Sequence, residues 1–285
     1  MKRTTITGII AGLSCVMAVV SGSGVSAIAP TAIIGFGDSR AAGTGLMPFT
    51  VPSVTDSLCW RSSWTATSIL ATTYTVPAYN VACSGATTKD ILSAQTVSDG
   101  LGGFTTVPAQ IDQLPVRLLT TRGSVVTIQT GANDVHWAET LGYCLGAALD
   151  CGSPQEQALF DASLVAMQTD LRAALDEITA RGHKSQVLVG GVYDPFGGVD
   201  AAVLQAVYAS YGVNLTVDEI TWLRGLRADL NTAMQQVATE YAKKNVSFVP
   251  IDLTAGQIQT LADFAPFHPN YLGQSAIHDA FNAAI

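Results

Sequence analysis

Five short aliphatic runs constrain what this chain can fold into more than any other feature. They are TAIIGF from Thr31, AYNVAC from Ala78, SVVTIQT from Ser124, QVLVGG from Gln186 and VSFVPI from Val246. They are rich in Val and Ile and do not alternate polar with apolar residues. A strand with one wet face alternates, whereas a strand covered on both faces has no need to. The runs therefore read as strands of a parallel sheet sandwiched between helices.

Parallel neighbours need long crossovers, and helical patterns lie between the runs. The clearest is SPQEQALFDASLVAMQTDLRAALDEITARG. Ser153 serves as its cap, Pro154 takes the first position and Glu156 closes a capping box. Phe160, Leu164, Met167, Leu171, Leu175 and Ile178 then recur at steps of three and four, and Gly182 marks the end. A second helix opens at Thr216–Glu219 and runs to about Lys244. A third starts after Asn270 and reaches the C-terminus. Strands alternating with helices along residues 30–285 predict one α/β domain. With 285 residues, 48% of them hydrophobic, the chain has ample material for its core. Residues 193–214, rich in glycine and aromatics, form the least regular stretch; they read either as an irregular segment near the strand ends, where ligands bind in such folds, or as an ordinary surface loop with a short helix.

Residues 1–27 have a different logic. Lys2 and Arg3 precede an apolar run from Ile6 to Val20, followed by small residues ending in Val25–Ala27. That order is the one of a secretory signal peptide, with cleavage expected after Ala27 or Ala29. A secreted, extracellular protein without stable membrane insertion follows. The net charge of -8 provides no basic footprint for nucleic acid. Removal of Cys15 with the signal leaves Cys59, Cys83, Cys144 and Cys151, an even number suited to disulfides in an exported chain. Of the three pairings, the short CLGAALDC loop favours Cys144 with Cys151, leaving Cys59 with Cys83. No CxxC pair exists and the histidines are scattered, so no metal is expected. No calcium-loop spacing occurs either.

The chemistry-bearing residues sit where strands end. The first strand runs into GFGDSRAAGTG, the second into ACSGATTKD and the third into QTGANDVHW; FHPN follows the last. In a parallel sheet these turns share the carboxyl edge and converge on one cleft. The glycines after the first strand do not keep the G-x-G-x-x-G spacing, and no G-x-x-x-x-G-K or G-x-S-x-G is present, which removes the usual dinucleotide, phosphate-loop and α/β-hydrolase signatures.

Taken together, Gly37-Asp38-Ser39, Gly85, Gly131-Ala132-Asn133-Asp134 and His268-Pro269-Asn270 resemble the SGNH, or GDSL-type, hydrolases, and most closely the secreted lipases and esterases of actinomycete-type bacteria. The resemblance spans nearly all of residues 30–285. It implies a three-layer α/β/α fold with a flavodoxin-like sheet of about five parallel strands, and serine carboxyl-ester hydrolysis without a cofactor. By the same resemblance Ser39 is the nucleophile and His268 the general base. The oxyanion hole is then the Ser39 N–H, the Gly85 N–H and the Asn133 side-chain amide. Asp38 and Asp134 read as acceptors that stabilise their turns, His136 as a loop residue, His183 as facing carbonyls or water, and His278 as structural.

One departure stands out. The family often places an aspartate three residues before the histidine, and here that position is Ala265. Either a backbone carbonyl near Ala265 holds the imidazole, making a Ser-His dyad, or Asp263 folds back to do so. Pro266 favours the carbonyl, because it restricts Ala265 to extended backbone. The expected partner is an ester, acyl lipid or small, met by a monomeric enzyme. Two alternatives share these residues: a carbohydrate O-deacetylase and a non-catalytic cell-envelope binding protein that keeps the fold.

Overall fold

The computed structural model describes residues 29–50, 53–115, 123–146, 151–182 and 185–285. The expected signal segment, residues 1–27, and His183 lie outside them. In chain order the elements are β1 (Ala32–Gly37), α1 (Ser39–Ala42), α2 (Val54–Leu58), α3 (Ala66–Tyr74), β2 (Ala78–Asn80), β3 (Gln95–Ser98), β4 (Phe104–Val107), β5 (Ser124–Gln129), α4 (Trp137–Leu145), α5 (Pro154–Arg181), β6 (Gln186–Gly190), α6 (Ala201–Ser210), α7 (Val217–Glu240), β7 (Val246–Val249) and α8 (Tyr271–Asn282).

Each of the five aliphatic runs supplies a strand of one sheet, in the order β2-β1-β5-β6-β7, and every pairing in it is parallel. The faces divide by the two-residue period of a strand. Ile34, Phe36, Val126, Ile128, Val187 and Val189 point to the side covered by α5 and α7, while Ile33, Val125 and Leu188 point to the side covered by α3 and α8. The result is a three-layer α/β/α sandwich, as the unalternating runs require.

Helix α5 begins as its sequence dictates. Ser153 accepts from the Glu156 N–H, the Glu156 carboxylate accepts from the Ser153 N–H, and Pro154 opens the helix. Phe160, Met167, Leu171, Leu175 and Ile178 are buried, and Leu164 packs half-buried beside them. Helix α7 opens on the same reciprocal cap between Thr216 and Glu219. The stretch 193–214 takes the second of its two readings, a loop with a short helix: it contains α6, capped by Asp200. One feature departs from the sequence reading. Between β2 and β5 lies an antiparallel hairpin, β3–β4, that no aliphatic run announces.

Disulfides join Cys59 to Cys83 and Cys144 to Cys151. The first ties the end of α2 to the turn after β2; the second ties the end of α4 to the segment just before α5. The sheet order places a topological switch between β1 and β5, because the chain builds outward from β1 in one direction to β2 and in the other to β5. In such sheets the crevice at the carboxyl ends beside the switch is the binding position.

Candidate active site

Ser39 occupies that crevice. Strand β1 ends at Gly37, whose φ of +133° suits only glycine. A Cβ there would also collide with the Gln129 carbonyl oxygen of β5. The chain then turns into α1 at Ser39. Asp38 caps the turn, accepting from the Arg40 N–H at 2.9 Å. The Arg40 guanidinium folds back on the same carboxylate, with Nη2 at 2.7 Å from Oδ2, and donates to the Thr130 carbonyl at 2.9 Å. Both residues are buried, so each charge is offset by the other. Gln110 accepts from the Gly37 N–H and donates to its carbonyl, both at 2.8 Å. Gln274 of α8 donates to the Arg40 carbonyl at 2.8 Å.

His268 comes from the loop before α8. Its Nε2 lies 2.7 Å from Ser39 Oγ, across 229 positions of sequence. Its Nδ1 lies 3.0 Å from the Pro266 carbonyl oxygen. A carbonyl can only accept, so the ring proton belongs on Nδ1, and Nε2 is left to accept the serine proton. The group facing the ring is therefore the carbonyl next to Ala265. Asp263 is engaged elsewhere: its carboxylate accepts from the Thr260 N–H at 2.6 Å and from the Thr260 hydroxyl at 2.9 Å. Fold-back of Asp263 onto His268 is thus not what the side chain does.

The loop carrying His268 is pinned by Gln259. Its backbone N–H donates to the His268 carbonyl at 2.7 Å and its carbonyl accepts from the Phe267 N–H at 3.0 Å. Its buried side-chain amide donates to the carbonyls of Thr44 and Pro269, each at 3.2 Å. Between Pro266 and His268, Phe267 adopts a left-handed backbone with φ +64°, a costly region for a bulky residue and one that tends to persist at functional sites. The buried Tyr193 hydroxyl donates to its carbonyl at 2.8 Å.

The remaining expected residues lie in adjoining turns. Asn133 donates its amide to the Ala86 carbonyl at 2.8 Å, which sets it beside Gly85 and leaves its second amide hydrogen uncommitted to that bond. Gly85 has φ +78°. Asp134 takes the N–H and hydroxyl of Thr88, tying the turn after β5 to the one after β2. Among the described residues no acceptor engages the N–H of Ser39 or of Gly85. Ser39, Asn133 and His268 line one cavity of about 180 Å³, with Trp137, Leu141, Val192 and Phe267 among its walls; Gly85 stands outside that lining. His136 is exposed at the start of α4, and His278 bonds Thr73 and Asp279 at the surface.

Burial pushes the His268 imidazole below its ordinary value. The Pro266 carbonyl and the Asp38 charge oppose that shift, and the Arg40 charge adds to it. The lowered pKa favours the neutral ring, the form that can accept a proton. Burial also pushes the Asp134 carboxyl up to about 6, against the Thr88 hydrogen bonds.

Arg40, Gln110, Gln259 and Gln274 were not singled out from the sequence. Their partners are mostly backbone carbonyls far along the chain, which no local pattern reveals.

The model of the GDSL-like lipase/acylhydrolase family matches residues 36–276, which include every one of these turns. The chain belongs to that family. It is accordingly a carboxylic ester hydrolase. Among solved structures it is similar to an extracellular lipase from Streptomyces rimosus, at 22% identity and a TM-score of 0.66 over 90% of this chain and all of the other. It is also similar to a phospholipase A1 from Streptomyces albidoflavus, at 18% identity and a TM-score of 0.59 over the same shares. A lipase from a goat rumen metagenome follows at 15% identity and a TM-score of 0.50, covering 89% of this chain and 96% of that one. At these identities the likeness establishes the fold. No protein of curated function matches the chain. Among the described residues no helix is long and apolar enough to cross a membrane.

Proposed function

We propose that this family member is a secreted, monomeric lipase or esterase that works through a Ser39–His268 dyad. The observation that carries the proposal is the chain of two hydrogen bonds from Ser39 Oγ to His268 Nε2 and from Nδ1 to the Pro266 carbonyl. His268 takes the serine proton as Oγ attacks the ester carbonyl, forming the tetrahedral intermediate. The imidazolium returns that proton to the leaving alcohol, and the acyl group stays on Ser39. Water then attacks the acyl-enzyme with His268 again as base, releasing the acid and restoring the serine.

The negative oxygen of each intermediate is met by the Ser39 N–H, the Gly85 N–H and the Asn133 amide. Each such donor is worth roughly 3 kcal/mol of transition-state stabilisation. The Asn133–Ala86 bond supports this reading by holding Asn133 next to the Gly85 turn. The apolar walls of the cavity favour an acyl chain over a sugar. Two disulfides and an extracellular relative support export. Hydrolysis of a short nitrophenyl ester tests the proposal: Ser39→Ala should lose turnover by at least about three orders of magnitude. Full activity in that variant would overturn it.

A further inference from the structure

A second apolar space adjoins the catalytic cavity. It is a groove of about 570 Å³ between α6 and the loop carrying residues 255–262, roughly three times the volume beside Ser39. Pro195 and Phe267 line both spaces, so one side chain on each wall forms the partition between them. The Phe267 ring stands edge-on to Phe196 of the groove, with centroids 6.3 Å apart, and its left-handed backbone fixes it immediately before His268. None of the residues lining the groove carries a charge.

Of the four polar side chains in its wall, Tyr208 and Tyr211 offer one hydroxyl each on an otherwise apolar ring, and the other two are spent on the protein itself. The Gln259 amide donates to Thr44 and Pro269, and the Thr260 hydroxyl donates to Asp263. A sugar needs many well-placed hydrogen-bond partners, because each unpaired hydroxyl costs free energy on leaving water. An aliphatic chain needs none and gains from the burial. Val207 and Leu261 line the groove while staying 46% and 48% exposed, so its mouth is open to a ligand.

We infer that this groove is a second chain site, which takes an aliphatic chain from the leaving-alcohol side of the ester while the scissile acyl chain lies in the cavity beside Ser39. The preferred substrate is then a two-chain lipid ester that straddles Phe267 and Pro195. The inference rests on the esterase reading above and names the substrate class for that site.

The test compares dihexanoylphosphatidylcholine with monohexanoyl lysophosphatidylcholine, both below their micelle concentrations, so that headgroup and chain length are shared. In the wild type kcat/KM favours the two-chain ester. Val207→Glu from one wall, and separately Leu261→Glu from the other, put a charge into the groove. Each is expected to lower the two-chain to one-chain ratio of kcat/KM by about tenfold or more. A ratio within about twofold of wild type in both variants overturns the inference. So does a concentration-dependent dimer that Val207→Glu dissolves without changing the ratio, since the groove would then seat a second copy. Binding of the dihexyl ether analogue to Ser39→Ala separates the two levels of the argument. If the wild type hydrolyses neither ester, the esterase reading falls, and the groove stands only if Val207→Glu still weakens ether binding by about tenfold. Unchanged ether binding removes the groove as well.

Discussion

The two halves of the proposed dyad are held by different means. Ser39 stands on the end of a central strand, and everything beneath it is buried. Gln110 clasps Gly37, Asp38 and Arg40 pair with one another, Arg40 reaches Thr130, and Gln274 reaches Arg40. His268 stands on a loop whose neighbours Leu261, Ala262, Asp263 and Phe264 are exposed. Gln259, through its backbone and its buried amide, the Tyr193 hydroxyl and the Pro266 carbonyl set its position. The proposed nucleophile is thus fixed by the core of the sheet and the proposed base by a few bonds to its loop. Damage on the first side should appear as lost stability, and damage on the second as lost turnover in a folded protein.

The largest effect is expected at Arg40. Arg40→Met leaves the buried Asp38 carboxylate without its partner, which should cost about 3–5 kcal/mol of folding free energy. Urea unfolding would measure it, and a loss below about 1 kcal/mol would mean that the pair does not anchor this side. At Gln259 the contrast should reverse. Gln259→Leu strips the carbonyls of Thr44 and Pro269 of their donor, and the His268 loop loses its register with Ser39. A fall in kcat of about ten- to hundredfold, with KM changed much less, is expected on a soluble short ester. Equal losses in stability and no separate loss in kcat would erase the distinction between the two halves.

A smaller effect concerns pH. The proposed base must be neutral to act, and burial lowers the His268 pKa in the folded protein. The acid limb of kcat/KM should therefore inflect below 6.5, the value of an unperturbed imidazole, so that activity persists to lower pH than such a group would allow. An inflection above 6.5 would require a nearby anion to dominate, and would point away from the carbonyl as the ring's partner.

The same contrast explains what was legible in the sequence. The aliphatic runs announced the strands because burial on both faces leaves its mark residue by residue. The turns at their ends brought Ser39, Gly85, Asn133 and His268 forward as candidates because a parallel sheet gathers its carboxyl ends. Helix α5 was legible from Ser153 to Gly182 because its caps and its stripe are local. The supports were not legible. Gln110 lies 73 positions from Gly37, and Gln274 lies 234 from Arg40. Their partners are backbone atoms, which every residue possesses. Helix α6 was legible only as one of two readings of residues 193–214, because glycines and aromatics flank it and the cap at Asp200 is its main local signal. Hairpin β3–β4 is short and mostly polar, so neither period nor hydrophobicity exposes it.

Position 265 joins the two lines of reasoning. Alanine there removes the usual place for an acid, and the proline that follows presents its own carbonyl to the ring. The most direct measurement is kcat/KM of Asp263→Asn on a short nitrophenyl ester. Among the described residues Asp263 bonds only Thr260, and asparagine can still accept from it, so the variant should stay within about twofold of wild type. Where an aspartate does orient the histidine, the same change costs about 10⁴ in turnover; a loss approaching that size would contradict the dyad held by Pro266.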